Sequence, residues 1–240
     1  MSSTLADLRR RWDRARMVLG APRIAIDLYG DEQAEAAYRA FTARHPRFKV
    51  TSAKRWGAAL LRLPESLDAY LAASSLPRRK RRQALKAGFR HEVVHPLAHL
   101  DDILAVNRSA PTRQGRAMSA GYVDPDAVAR SFARDQPIDA ILDAEGRLRA
   151  YAVVPDLGDA FVFSQILGHA DDLEHGIMYL LVSEAIGRCI DRQRPDGSPH
   201  WLFYDTFWGA SDGLVFFKQR LGFTPYTVDW RWRDAAEGRP

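Results

Sequence analysis

Polar side chains that could perform acid–base chemistry follow two hydrophobic stretches of the chain, residues 160–167 and 200–205. They are Ser164, Gln165, His169 and His175 in or after the first stretch, and Tyr204 and Asp205 at the end of the second. If both stretches are parallel strands, their carboxyl ends lie at the same edge of a sheet, where sites of α/β folds form. A carboxylate such as Asp205 can orient or deprotonate an amine, and an imidazole can act as acid or base. The sequence therefore predicts a catalytic site at this edge.

The elements that must position these side chains form a strand–helix–strand–helix series. Residues 174–192 have the apolar stripe of a long helix, and residues 212–221 form a shorter helix that ends at Gly222. Connections of this length are too long for hairpins, so the two strands are expected to be parallel.

The rest of the chain adds antiparallel strands and helices to this unit. Residues 4–19 have amphipathic spacing, residues 48–50 and 56–63 suggest a hairpin, and residues 138–154 suggest two strands around a turn. We predict an α/β (α+β) fold with a mixed, mostly antiparallel sheet, flanking helices and one βαβ unit. The predicted division is a strand-and-helix lobe at 1–63, a main domain at 64–232 and a tail at 233–240.

Positive charge is concentrated in one predicted helix. Seven cations fall within thirteen residues, namely Arg78, Arg79, Lys80, Arg81, Arg82, Lys86 and Arg90. Such a cluster could neutralise several phosphates, and the formal net charge of +5 is compatible with a polyanionic partner. A solvated helix face is the alternative, and the sequence leaves both open.

A long segment without periodicity, residues 108–122, is rich in Gly, Ser, Pro and Arg. Loops of this length in a compact domain are usually functional, although a mobile surface connection is almost as good an explanation. The groups that could bind a ligand here are Arg113, Arg116 and Tyr122.

Composition excludes several other classes of protein. The single cysteine, Cys189, excludes an intrachain disulfide framework. His91, His95 and His99 are spaced by four, but no further ligand completes a set, so we predict no metal site. No apolar run is long enough to cross a membrane and the first residues contain no signal-peptide core, which predicts a cytoplasmic protein.

The order of these elements over residues 64–232 resembles the GNAT acyltransferase superfamily, and Gly213–Phe223 is similar to the segment that ends those domains. Members usually transfer an acyl group from acetyl-CoA to an amine. Their Arg/Gln-x-x-Gly-x-Gly/Ala signature binds the pyrophosphate through backbone N–H groups at a helix start. This chain departs from the signature, because Leu173, His175 and Ile177 occupy the corresponding positions.

Two segments are similar to the Fem peptidyltransferases, which take an aminoacyl group from aminoacyl-tRNA. The ending Phe217–Gly222, with Lys218, looks like theirs, and Arg79–Gly88 is similar to the helix that opens their second domain. The resemblance implies an acyltransferase that uses aminoacyl-tRNA as co-substrate, holds no permanent cofactor, has tRNA as a partner and forms an amide on a small-molecule or peptide amine. Two alternatives remain: an acetyl-CoA-dependent N-acetyltransferase, and a non-catalytic nucleic-acid-binding protein.

The resemblance also implies roles for individual residues. The predicted catalytic groups are Asp205, Tyr204 and Lys218, of which Lys218 would also contact a phosphate or ribose hydroxyl. The predicted donor-binding groups are Ser164, Gln165, His169 and His175. The nucleic acid would bind Arg78, Arg79, Lys80, Arg81, Arg82 and Lys86. The acceptor would bind Arg113, Arg116 and Tyr122, with Trp208 lining the acyl pocket.

Overall fold

The computed structural model describes residues 12–45, 52–113 and 116–233. The strands are β1 (Arg23–Leu28), β2 (Trp56–Arg62), β3 (Arg90–Val94), β4 (Thr112–Arg113), β5 (Arg116–Ala117), β6 (Ile138–Leu142), β7 (Leu148–Val153), β8 (Ala160–Val162), β9 (Gln165–Gly168), β10 (Trp201–Thr206) and β11 (Thr224–Trp232). The helices after the helical residues 12–19 are α1 (Glu32–Thr42), α2 (Leu67–Ala73), α3 (Ser75–Lys86), α4 (Leu100–Arg108), α5 (Ala120–Val123), α6 (Pro125–Ser131), α7 (Ile177–Asp191) and α8 (Asp212–Arg220). Short 3₁₀ helices cover Pro96–His99 and Ala170–His175.

The chain divides into two compact units. The first unit contains Met1–Arg62, Pro155–Val162 and Gln193–Pro240, and the second contains Leu63–Val154 and Phe163–Arg192. Each unit is therefore built from segments that are separated in the sequence.

The first unit has a five-stranded mixed sheet in the order β1-β11-β2-β10-β8. β1 runs parallel to β11, and β10 runs parallel to β8, while β2 is antiparallel to both of its neighbours. Aromatic side chains form the centre of its core, where the ring of Phe41 from α1 lies 5.2 Å from that of Phe203 and 4.9 Å from that of Trp230. Asp31 caps α1 by accepting hydrogen bonds from the first backbone N–H groups of the helix.

The second unit has a four-stranded antiparallel sheet in the order β3-β6-β7-β9. α7 packs against it through the apolar stripe that the sequence predicts, with Leu180, Ala185, Ile186 and Cys189 buried. Burial of Cys189 agrees with a packing role for its thiol.

The predicted α/β class with mixed, mostly antiparallel strand pairing is confirmed, and so is the parallel arrangement of the strands that begin at Ala160 and Trp201. The prediction of one strand over residues 160–167 is wrong. β8 pairs with β10 in the first unit, whereas β9 pairs with β7 in the second. Hydrophobicity could not reveal the break, because both halves are apolar and only their pairing partners differ.

Two other expectations concern residues at the edge of what the structure describes. The predicted strand at residues 48–50 and the start of the predicted helix at residue 4 lie outside the described residues.

The long helix begins at Ile177 rather than at Glu174, because Gly176 adopts φ 87° and separates it from the preceding 3₁₀ turn. Across the described residues, no helix is both long and apolar enough to span a bilayer.

We expect Gly158→Ala to destabilise the first unit severely. Gly158 has φ +111°, and an added Cβ would lie 2.8 Å from the backbone nitrogen of Tyr29 and 2.9 Å from the carbonyl oxygen of Asp27. The matched control is Gly209→Ala, because Gly209 has φ +78° but no heavy atom within 4 Å of an added Cβ. Urea unfolding should give a loss of about 1 kcal/mol for Gly209→Ala and about 3 kcal/mol or more for Gly158→Ala. Equal losses would contradict the close approach.

Candidate active site

A backbone irregularity marks the end of β10. The register of β10 against β2 shifts between Phe203 and Thr206, and Asp205 adopts φ 53°. A residue other than glycine rarely adopts a backbone φ in this left-handed region, and Asp and Asn tolerate it better than other such residues do. The irregularity directs attention to Asp205, because strained backbone conformations concentrate at functional sites.

The carboxylate of Asp205 is exposed and forms an ion pair with the ammonium of Lys54. The backbone of Lys54 is fixed on both sides. Its N–H donates to the carbonyl oxygen of Phe41 at 3.1 Å, and its carbonyl oxygen accepts from Nε1 of Trp230 at 3.0 Å. The side chain of Lys54 therefore reaches Asp205 from a backbone that two hydrogen bonds hold in place. The sequence alone does not reveal Lys54 as part of this site, because nothing in it links Lys54 to a strand about 150 positions later.

Lys218 lies behind the same strand end and is fully buried, with 0% relative exposure. Its Nζ donates a hydrogen bond to the carbonyl oxygen of Thr206 at 2.9 Å and lies 4.8 Å from the ring centroid of Tyr204. Burial lowers the pKa of Lys218 to about 8; the Asp205 carboxylate opposes this shift and Lys54 adds to it. Lys218 is therefore not a solvated cation at the end of its helix.

The hydrogen bond from Lys218 fixes the residue that follows Asp205. We interpret Lys218 as a residue that holds the irregular strand end, because its Nζ is occupied by the Thr206 carbonyl oxygen. Contact with a phosphate or ribose hydroxyl would have to use one of the other two N–H donors of this ammonium, which is fully buried.

Tyr204 is buried, although it is one of the residues predicted to be catalytic. Its ring makes an edge contact with Phe223 at 5.6 Å, and burial raises the pKa of its phenol. Trp208 follows the strand end and is 40% exposed, and its carbonyl oxygen accepts a hydrogen bond from Oγ1 of Thr206 at 3.0 Å. The first unit thus brings together Tyr204, Asp205 and Lys218 of the predicted catalytic set.

The predicted donor-binding residues all lie in the second unit. Ser164 is exposed, and both its backbone N–H and its hydroxyl donate to the carbonyl oxygen of Val153, at 3.0 and 3.1 Å. Gln165 begins β9, and its Oε1 lies 3.4 Å from the hydroxyl of Tyr151. His169 has a buried Nδ1 without a hydrogen-bond partner among the described residues. The ring of His175 packs 5.9 Å from that of Phe89.

The segment that leads into α7 does not fit a coenzyme A diphosphate. It carries three carboxylates, those of Asp171, Asp172 and Glu174, and the first and last of these are largely exposed. Asp172 is paired with Arg149 at 2.6 Å, so the exposed carboxylates of Asp171 and Glu174 are the ones that would repel a phosphate group. α3 also packs directly on this segment, because a Cβ on Gly176 would lie 2.8 Å from the carbonyl oxygen of Lys80.

The basic helix is α3, and its cations divide into two groups. Arg81 faces α7 and pairs with Glu184, with Nε 2.7 Å from Oε1, while Nζ of Lys80 donates to Gln83 at 2.9 Å. Because Arg81 is paired with Glu184, it does not belong to the predicted nucleic-acid-binding surface. The sequence around Arg81 did not reveal this partner. Among the described residues, no ion pair is seen for the four exposed cations Arg78, Arg79, Arg82 and Lys86.

The loop predicted to bind the acceptor is partly ordered by β4, β5 and α5. Arg113 and Tyr122 are half-buried, whereas the side chain of Arg116 lies outside the described residues. No group of three or more His, Cys, Asp or Glu side chains that could hold a metal ion occurs within residues 12–45, 52–113 and 116–233.

Solved structures with the same fold support the assignment of the architecture. The C-terminal domain of a candidate lysylphosphatidylglycerol synthetase from Agrobacterium fabrum matches with a TM-score of 0.50 and 18% identity, over 70% of this chain and 57% of that one. FemX matches with a TM-score of 0.55 and 10% identity, over 71% of this chain and 59% of that one. The chain therefore spans less than two thirds of either structure.

At such low sequence identities the two matches bear on the fold alone. They confirm the predicted GNAT-like fold, which is related to that of FemX. No protein-family model and no curated protein matches the sequence.

We expect substitutions of Asp205 to report on the strained backbone. Asp205→Asn should change the free energy of unfolding by less than about 0.5 kcal/mol, because Asn tolerates the same conformation. Asp205→Val should cost about 2 kcal/mol, because a β-branched side chain is poorly accommodated at positive φ. Urea unfolding of both variants measures the difference, and equal stabilities would show that the strand end relaxes freely.

Lys218 makes the stability of the first unit depend on pH in the alkaline range. Its pKa is about 8 in the folded protein and near 10.5 when unfolded, so the unfolded state binds more protons between these values. Stability relative to Lys218→Met should therefore rise with pH, by about 2 kcal/mol between about pH 7 and about pH 9.5. Denaturant unfolding of both proteins across this range tests the sign. A constant or falling difference would be incompatible with a buried lysine of depressed pKa.

Proposed function

We propose that this protein is an acyltransferase that transfers an aminoacyl group from aminoacyl-tRNA to an amine and forms an amide. The GNAT-like fold supports acyl transfer, because FemX and a candidate lysylphosphatidylglycerol synthetase adopt the same architecture. The fold alone leaves the donor open. The choice of donor rests on the residues of the second unit.

The observation that carries the proposal is the acidic, covered start of α7. GNAT members that use acetyl-CoA bind its pyrophosphate with backbone N–H groups at the corresponding helix start. Here Asp171, Asp172 and Glu174 precede the helix, and the carbonyl oxygen of Lys80 lies against Gly176. A donor whose phosphates are bound elsewhere agrees with this arrangement better than acetyl-CoA does.

α3 offers a surface for such phosphates. Arg78, Arg79, Arg82 and Lys86 are exposed on one helix of the second unit, whereas Arg81 is held by Glu184. Exposed cations on a single helix can contact successive phosphates of a nucleic-acid backbone and release its counterions. This surface supports tRNA as the carrier of the acyl group.

The chemistry assigned to the first unit is aminolysis of an ester. The acceptor nitrogen attacks the ester carbonyl carbon, a C–N bond forms, and the C–O bond to the terminal ribose of the tRNA breaks. The proton lost by the amine ends on the leaving ribose hydroxyl. Asp205 orients the amine and accepts its proton, since it carries an exposed carboxylate at a fixed strand end. Lys54 and Lys218 act as positioning residues for that carboxylate.

A paired binding titration of the whole protein tests the donor. Filter retention of charged bulk tRNA should be strong at low salt and should weaken as salt rises, whereas calorimetry with acetyl-CoA should give no binding heat. Binding of acetyl-CoA without retention of tRNA would contradict the proposal and favour the acetyl-CoA-dependent alternative.

Charge reversal on α3 provides the matched comparison. Arg79→Glu and Arg82→Glu should each weaken tRNA retention by about 10-fold at low salt and reduce its salt dependence. Arg130→Glu is the control, because Arg130 is exposed on α6 of the same unit and carries the same change of charge. Asp205→Asn should retain tRNA but lose transfer of labelled amino acid to an amine. If transfer persisted in this variant, Asp205 would not be the group that accepts the proton. If the unchanged protein retained tRNA without any transfer, it would be a binding protein without this chemistry.

A further inference from the structure

Lys54 places a primary amine directly against the carboxylate of the candidate active site. Its Nζ donates a hydrogen bond to Oδ1 of Asp205, and both residues belong to the first unit. Both side chains are accessible to solvent, since 33% of the Lys54 side chain and 56% of the Asp205 side chain are exposed. A small molecule in solution can therefore reach the amine and the carboxylate together.

The chemical type of this cation is uncommon in the chain. The sequence contains thirty arginines and five lysines, and within the described ranges Lys54–Asp205 is the one ion pair that a lysine forms. Arginines and histidines form the others. A guanidinium stays protonated in proteins, whereas a lysine amine can lose its proton and form an amide. Position 54 therefore has the type of cation that can accept an acyl group.

Stability alone does not account for Lys54. An ion pair between exposed side chains contributes little to folding, and the strand end beside Asp205 is already held by the hydrogen bond from Lys218 to the Thr206 carbonyl oxygen. The backbone N–H and carbonyl oxygen of Lys54 are both hydrogen-bonded, so its amine starts from a fixed position. An amine that is already held in place loses little freedom when it reacts, which is a main source of rate in reactions within one molecule.

The other lysines that the structure describes lack this arrangement. Lys218 is fully buried, and Nζ of Lys80 donates to Gln83 at 2.9 Å. Lys86 is exposed in the last turn of α3, and no carboxylate of the described chain pairs with it. Lys86 is thus an accessible amine without a carboxylate, and it provides an internal reference for the reactivity of Lys54.

We propose that Lys54 is a site at which this protein acylates itself, with Asp205 accepting the proton of the amine. The inference rests on the proposed function, because the acyl donor is an activated ester such as the one that joins an amino acid to tRNA. The neutral amine of Lys54 attacks the ester carbonyl carbon, a C–N bond forms, and the C–O bond to the leaving oxygen breaks. The proton released by the nitrogen passes to Asp205 and then to the leaving oxygen. One ester is consumed, and one amide and one alcohol are formed.

Acylation changes the charge beside Asp205. The nitrogen of the product is an uncharged amide, so the ion pair between positions 54 and 205 is lost. The carboxylate can then bind the amine of a second acceptor. Lys54 therefore positions Asp205 before the modification and releases it afterwards.

Two donors test this inference on the whole chain. Phenyl acetate is a small activated ester that requires no tRNA-binding surface, and charged bulk tRNA with labelled amino acids is the proposed donor. The protein is incubated with each donor at mildly alkaline pH, where more lysine amine is neutral. Proteolytic digestion and mass spectrometry then give the acylated fraction at each lysine. We expect phenyl acetate to acylate Lys54 about 10-fold faster than Lys86, and charged tRNA to label Lys54.

Two variants separate a reaction assisted by Asp205 from simple exposure of the amine. Asp205→Asn has nearly the same shape and tolerates the same φ, but it cannot accept the proton. Acylation of Lys54 by phenyl acetate should therefore fall by about 10-fold or more in this variant, while acylation of Lys86 stays unchanged. Lys54→Arg keeps the positive charge beside Asp205 but lacks the amine, so the labelled product at this position should disappear.

The proposal is overturned if phenyl acetate acylates Lys54 no faster than Lys86, or if Asp205→Asn leaves the ratio between these two lysines unchanged. It is also overturned if charged tRNA acylates a free amine while Lys54 stays unmodified, a result that would leave the proposed function intact. Acylation of Lys54 by phenyl acetate without any label from charged tRNA would support Lys54 as the modified residue and contradict the proposed donor. The two failures are therefore distinguishable.

Discussion

The hydrogen bond from the Lys218 ammonium to the Thr206 carbonyl oxygen is the interaction on which the candidate active site depends. A buried ammonium must satisfy its donors, and here it does so at the residue that follows the strained Asp205. The bond joins α8 to the end of β10, and the aromatic faces of Tyr204 and Phe207 surround the charge. The solvent-exposed carboxylate of Asp205 is therefore held in position by the strand end that the buried ammonium of Lys218 fixes.

Local patterns in the sequence predicted the elements well, and long-range pairing accounts for what they missed. The apolar stripe of α7 follows from its helical periodicity, and β10 follows from its run of hydrophobic residues. The split between β8 and β9, the Lys54–Asp205 pair and the Arg81–Glu184 pair each depend on a partner far along the chain. Burial of Lys218 could not be predicted either, because a lysine is expected at a surface.

Charge is divided within the second unit in a way that bears on function. Three carboxylates precede α7, where a diphosphate would be bound in the resembling superfamily, and four exposed cations occupy α3. Together these features support the proposed donor, whose phosphates would be bound away from the start of α7.

The assembly of the first unit from three chain segments has a consequence for biosynthesis. β1 precedes every other strand that the structure describes, and its parallel partner β11 follows all of them. During translation β1 therefore has an unpaired edge until β11 leaves the ribosome, while the second unit already has all of its residues. Such distant pairing slows folding and leaves an aggregation-prone edge exposed to chaperones. Truncation of the last strand would thus remove the partner of the first and leave the nascent chain without a way to close this sheet.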